Sequence, residues 1–403
     1  MNSQDDNQNK GGFPGLTSPF VAWGICVSTF FASQAYAELH PAPVSLAAEK
    51  TTGQIEPVFA FYEQMPSGVT VSDSGRVFVN FPRWGDKVDF TVGEIVGSEL
   101  VPYPNSSIND FDPTSPSTTL ISVQSVIVDG TNRLWMLDTA APSFGTPIVG
   151  GAKLVGVDLA TNKVVRTILF PPDVVLRNTY LNDVRFDLRQ GKGGIAYITD
   201  SGASGIIVVD LASGRSWRRL TGDRSTVPDA SFVSFVEGDP LAIRLPGKSP
   251  TPWQVASDGL ALSADGNILF YAPLSSRHLY KVPTELLRAP SLPESQVSAA
   301  VTDLGEKGAS DGLEADSEGR IYATDYEHNA IRVRAVDGSW TTLVHDPRVL
   351  WPDTLSLAAN GYLYFTSNQW ERMPMMHGGT DLRKKPYSLF RIKVAALPVR
   401  LGK

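Results

Sequence analysis

The amino-acid sequence predicts an all-β chain folded as a six-bladed β-propeller. Three observations predict it: six alignable hairpin repeats, strand-forming segments at both ends that can close a ring, and an oxygen-bearing side chain at one repeated position. The copies read VTVSDSGRVFVNF from Val69, VIVDGTNRLWMLD from Val126, VRFDLRQGKGGIAYITD from Val184, LALSADGNILFYAP from Leu260, LEADSEGRIYATD from Leu313 and LSLAANGYLYFTS from Leu355. Each is strand, tight turn, strand, with Gly, Asn or Asp in the turn. Recurrence every 40 to 70 residues or so is the pattern of radial repetition, not of one continuous sheet.

A chain of 403 residues, 42% hydrophobic and 19% charged, has the length of two or three ordinary domains. The repeat overrules that prior. Each blade covers its neighbour's apolar face, so residues 54–403 are expected to form a single domain. Helical signal is confined to residues 283–288, enough for a turn or two. A net charge of −7 argues against a nucleic-acid partner, which requires a concentrated basic surface. The basic cluster Arg383, Lys384 and Lys385, beside Pro386, is expected to be a solvated run.

In chain order, residues 1–37 read as a signal peptide. An apolar run over residues 20–32 is followed by Ala35 and Ala37 in the small-x-small pattern of a cleavage site, although Asp5 and Asp6 depart from the usual positive leader. The run is too short to span a bilayer, which needs about 20 residues. The expected location is therefore secreted or periplasmic, without stable membrane insertion. Cys26 lies in this segment, so the mature chain has no cysteine and no disulfide. Residues 38–53 are expected as a surface arm. Residues 54–63 (QIEPVFAFYE) and 387–394 (YSLFRIKV), rich in aromatic and β-branched side chains, are predicted to share the closing blade and so remove the ring's open edges. Long loops at residues 102–117, 140–151, 222–253 and 368–386 are expected to roof one mouth of the central channel, with residues 369–385 as a lid.

Two positions before each aligned start stand Ser67, Gln124, Asn182, Asp258, Asp311 and Asp353. Innermost strands of a propeller begin around its axis, so these six are predicted to converge in one polar collar. Carboxylates brought together there repel one another unless a cation or water intervenes. A Ca²⁺ ion held by Asn182, Asp258 and Asp311 is one expectation, since hard cations take such oxygens. A water-filled channel for a small ligand is another, and turn chemistry in the two SDG triplets is a third. Candidate catalytic groups are Asp258, Asp311 and His328. Candidate ligand contacts are Gln124, Asp353, Asn368, Trp84, Trp135 and Trp370, the tryptophans offering stacking or cation-π faces. No HxxxH, GxSxG, P-loop or GxGxxG is present, which removes zinc-site, serine hydrolase, nucleoside triphosphatase and Rossmann readings.

The segments FVNFPRW, NRLWMLD, SDGLALS, FYAPLSSRHLY, WPDTL and TSNQW, in that order, resemble the major royal jelly protein and Yellow family, as a microbial branch without the insect members' cysteines. The resemblance implies a secreted six-bladed propeller that binds a small aromatic or amine molecule in its channel, with pigment-type isomerase activity in some members. More distantly the blades are similar to calcium-dependent gluconolactonases. Asn182, Asp258 and Asp311 match that metal pattern, but Ser67 stands where a Glu is expected. A lactone hydrolase and a non-catalytic structural or partner-binding role are the alternatives to small-molecule binding.

Overall fold

In the computed structural model, which describes residues 49–402, every one of the six hairpin repeats becomes the two innermost strands of a four-stranded antiparallel sheet. The expected signal peptide, and the arm up to residue 48, lie outside the described residues. From the axis outward, blade 1 runs Val69–Val71, Val77–Asn80, Val92–Val96 and Glu99–Pro102; blade 2 runs Val123–Val128, Arg133–Asp138, Lys153–Asp158 and Lys163–Leu169. Blade 3 is Leu181–Asp187, Ile195–Asp200, Ile206–Asp210 and Ser216–Arg219; blade 4 is Ser257–Leu262, Ile268–Pro273, His278–Pro283 and Thr302–Glu306. Blade 5 is Leu313–Ala315, Ile321–Asp325, Ala330–Arg334 and Trp340–His345.

Blade 6 closes the ring. Pro352–Leu357, Tyr362–Ser367 and Tyr387–Lys393 are joined by Glu56–Phe61 from the other end of the chain, with Glu56 opposite Arg391 and Phe61 opposite Tyr387. The predicted end-to-end pairing is therefore found. Arg391 fastens it, 2.7 Å from the Glu56 carboxylate and stacked over Tyr362.

The core lies between successive sheets. Alternation along each strand puts one apolar row on each face, and the row of one blade meets that of the next. Between blades 2 and 3, Trp135 stacks on Phe186 with ring centroids 5.2 Å apart, among Leu154, Val184 and Ile198. Burying each such side chain contributes about 1.5–3 kcal/mol. Polar ties hold the inner strands together. Asn80 donates to the Val123 and Gln124 carbonyls, Thr199 to that of Asp258, and Thr366 to that of Ser67, each reaching from one blade to the next.

Two local devices aim the collar position at the axis. In blades 2, 3, 4 and 6 the innermost pairing slips just after it, between Val123 and Ser125, Leu181 and Val184, Ser257 and Leu260, and Pro352 and Leu355. Such a bulge turns a side chain out of the strand's alternation. The glycine that follows Asp258 and Asp311 supplies the second. A Cβ at Gly259 would lie 2.3 Å from the Asp311 carbonyl oxygen, and one at Gly312 equally close to that of Asp353, so only glycine lets the strands approach. The SDG triplets are thus axial packing motifs, not simple turns.

At the opposite end of the inner strands the C-terminal tail crosses the axis. Leu397 and Leu401 accept backbone hydrogen bonds from Ser317 and Leu188, and the largely buried Arg400 side chain donates to the carbonyls of Val71 and Val128. Blades 1, 2, 3 and 5 are tied to one strap, which covers this end of the tunnel.

Three short α-helices occur among the described residues, besides three single-turn 3₁₀ segments: Thr284–Arg288, where a turn or two of helix was expected, and Ser106–Asn109 and Glu294–Ala299, which were not. In the basic run Lys384 and Lys385 are exposed as expected, and Arg383 departs from expectation. The Arg383 side chain is only 4% exposed, because its planar fork is gripped by Asp86 at 2.6 and 2.9 Å and by Asp381. Ion pairing with two carboxylates holds it against blade 1 instead of in water.

Candidate functional site

Gln124, Asn182, Asp258, Asp311 and Asp353 converge on one cavity of about 850 Å³ at the axis. Ser67 does not line it. Its side chain is buried at the ring closure, with a hydroxyl that finds no partner. Gln124 accepts a hydrogen bond from the Tyr180 hydroxyl, which in turn accepts from the Trp84 indole at 2.6 Å. Asp353 is tied to Asn368 at 2.7 Å and to Thr354, so Asn368 acts from behind the carboxylate and is not itself a wall of the cavity.

Three buried carboxyls sharing one cavity resist ionising together. Burial, with the neighbouring Asp311 and Asp353 charges, pushes Asp258 well above the usual carboxylate range; burial and the Asp311 charge do the same to Asp353. Asp311 is raised to about 6, mainly by desolvation. It rises least because the Trp351 indole donates to it at 2.7 Å and Asp258 shares a hydrogen bond with it. Of the three, Asp311 is therefore the carboxyl that ionises most readily, while Asp258 and Asp353 are held further toward the protonated form. Such a group can neutralise one positive charge, and can give or take a proton at a bound molecule.

Above the collar stands a girdle of aromatic rings. Trp253 stacks on Trp370 at 4.0 Å, and Phe144 lies 5.8 Å from Trp84 and 5.3 Å from Tyr180; Trp351, stacked on Tyr326 at 4.2 Å, is buried behind them and does not itself line the cavity. Phe144 remains 41% exposed at the mouth, and both it (φ 55°) and Trp351 (φ 49°) hold left-handed backbone, costly for aromatic residues. The long loops present these rings. Residues 140–151 bring Phe144, residues 222–253 bring Trp253, and the expected lid brings Trp370 and Met375, while the loop at 102–117 stays away. The first of the lid's ties is an ion pair of Arg372 with Glu237, and the second a backbone bond from Arg244 to Met375 at 2.8 Å.

Two expected site residues stand apart. Trp135 is buried between blades 2 and 3, its indole donating to Asp129, because strand alternation turns it toward the neighbouring sheet. His328 sits on the outer hairpin of blade 5, 69% exposed and paired with Asp325 at 2.9 Å, outside the cavity. Conversely, Tyr180, Phe144, Trp253 and the indole of Trp351 were not singled out in the sequence, although Trp351 belongs to the WPDTL segment.

The expected calcium donors Asn182, Asp258 and Asp311 all line the cavity, with Asp311 also accepting from the Trp351 indole. Among the described residues no group of three His, Cys, Asp or Glu side chains stands ready to hold a metal ion.

A family model described as major royal jelly protein matches residues 121–397. Protein yellow of Drosophila guanche is 28% identical over 230 residues, 53% of this chain and 38% of that protein. Major royal jelly protein 1 of Apis mellifera is 28% identical over 208 residues, 50% and 45% respectively. The matched chain thus spans less than half the length of these relatives. Among solved structures, a luciferin-regenerating enzyme superposes with a TM-score of 0.52 at 12% identity, covering 87% of this chain and all of that one. A protein assigned as a gluconolactonase gives 0.51 at 14%, covering 92% and 98%. These likenesses concern the fold alone. The family match extends over more than half the chain and includes the innermost strands of blades 2 to 6, and the protein belongs to the major royal jelly protein family.

Proposed function

We propose that the cavity binds a small aromatic cation, its charge set against the collar and its ring against the girdle. The observation that carries this reading is the arrangement of Asp258, Asp311 and Asp353, three carboxyls that resist ionising together, beneath stacked tryptophans. A bound ammonium relieves their repulsion, and aromatic faces favour both the ring and the charge. Pigment-type isomerase activity is the catalytic extension of the same reading, with the Asp258 and Asp311 carboxyls passing a proton.

Titration calorimetry with phenethylamine and its neutral counterpart phenethyl alcohol tests this. The amine is expected to bind about tenfold or more tightly than the alcohol. Because the cation needs Asp311 ionised, and this carboxyl titrates at about 6, lowering the pH from about 7.5 to about 5 should weaken the amine by about tenfold. Equal binding of amine and alcohol, or no pH dependence, removes the reading. A rise in melting temperature on adding Ca²⁺ to chelator-treated protein would instead favour the lactone hydrolase.

Export belongs to the same proposal. Among the described residues no helix is long and apolar enough to cross a membrane, and the apolar run of residues 20–32 with Ala35 and Ala37 supports cleavage. N-terminal sequencing of the mature protein should begin at Glu38; an intact Met1 in exported material would count against it.

A further inference from the structure

Among the described residues the cavity wall carries a single basic side chain. Arg177 lies exposed on the turn that precedes the innermost strand of blade 3, where the Thr179 amide donates to the Leu176 carbonyl at 3.1 Å. Among the described residues its guanidinium has no hydrogen-bond or ion-pair partner, in contrast to Arg372 and Arg383 in the loops of the same face. It stands five residues ahead of Asn182, which is in the collar, so its Cα is at most about 18 Å from that position along the wall. Tyr180 lines the interval. The chamber is thus polarised along its depth: buried acid at the floor, aromatic faces midway, one free cation at the rim.

From this polarity we infer that the ligand is itself dipolar, an aromatic body bearing an ammonium group at one end and an acidic group at the other, the acid being met by Arg177. The inference rests on the aromatic-cation reading above and adds a second charge to it. An acid attached beside the ammonium, as in an α-amino acid, would instead be carried down to Asp258, Asp311 and Asp353 and repelled. A guanidinium suits a carboxylate, sulfate or phosphate, since its planar fork can donate two parallel hydrogen bonds. The cavity volume of about 850 Å³ accommodates a molecule longer than a simple arylethylamine.

Calorimetric titration with three probes tests the inference: phenethylamine, para-(aminoethyl)benzoate and phenylalanine, each against the natural chain and Arg177→Gln. Arg177 is exposed and unpaired, so the substitution leaves the fold intact. The benzoate is expected to bind about fivefold more tightly than phenethylamine, and phenylalanine more weakly than either. In Arg177→Gln the ratio of benzoate to phenethylamine should fall to near one, and added salt should reduce it in the natural chain. Binding of phenethylamine without a benzoate advantage, or an advantage that survives Arg177→Gln, overturns the dipolar ligand while leaving the aromatic cation standing. Failure of all three probes to bind rejects both.

Discussion

Asp311→Asn is expected to lose cation binding while making the folded protein more stable at neutral pH. The variant keeps an oxygen to accept from the Trp351 indole, found at 2.7 Å from the carboxylate, so local packing survives. What it loses is the collar charge that ionises most readily, and phenethylamine affinity should fall by about thirtyfold or more. Stability moves the other way. The Asp311 carboxyl is raised to about 6 from an ordinary value of 3.8. A raised carboxyl contributes stability that is complete below its unfolded value and is lost as pH climbs through its folded value. The natural chain should therefore lose on the order of 2–3 kcal/mol between about pH 4 and pH 7 on this account. Asp311→Asn should match it near pH 4 and exceed it at pH 7. Denaturant melts across that range decide the matter: a difference that stays constant with pH would show that Asp311 is not held against its own ionisation. Function here is obtained at the expense of stability, as is common where like charges are gathered for a ligand.

A second large effect is expected at a pair that does not line the cavity. Asp138 ends the second strand of blade 2, and its carboxylate accepts from the backbone amides of Ile121, Ser122 and Ala140 and from the Lys153 ammonium at 2.7 Å. The two side chains are 0% and 1% exposed. Lys153 also donates to the Pro116 and Gly151 carbonyls, so a single ion pair pins two loops to the blade. Asp138→Ala leaves three amides without their acceptor and the buried ammonium without its counter-charge, and should cost about 3–5 kcal/mol. Replacing Lys153 by Met in the same variant removes the stranded charge and should restore about half of that loss. Urea unfolding of the three variants measures both quantities. A loss below about 1 kcal/mol for Asp138→Ala would mean that water reaches the site and the pair is structurally idle.

The collar and the girdle differ in how they could be foreseen. Gln124, Asn182, Asp258, Asp311 and Asp353 occupy the same place in successive repeats, and rotational stacking sends equal places to one axis. Ser67 shares the place but sits at the ring closure, where the Thr366 hydroxyl takes its carbonyl and the side chain faces away from the cavity. Phe144, Tyr180 and Trp253 come from loops of unequal length with no common register, so alignment of the repeats says nothing about where their rings end. Trp84 and Trp135 show the same limit from the other side. Both follow repeated motifs, yet Trp84 reaches the cavity to bond Tyr180, while Trp135 is turned by strand alternation into the interface with Phe186. The burial of Arg383 depends on Asp86, some 297 residues earlier, a pairing that local composition cannot reveal.

For this protein, periodic residues by themselves determined the number of blades, the end-to-end closure through Glu56–Phe61 and Tyr387–Lys393, and the position of the acidic floor. All three follow from a local rule repeated around a ring, which one dimension is enough to state. Tertiary structure alone decided which aromatic rings face the cavity, that Arg177 stands unpaired at its rim, and that the tail around Arg400 covers the other end. Those outcomes depend on contacts between segments far apart in the chain, where packing space and available charge partners choose among conformations that the local residues equally permit.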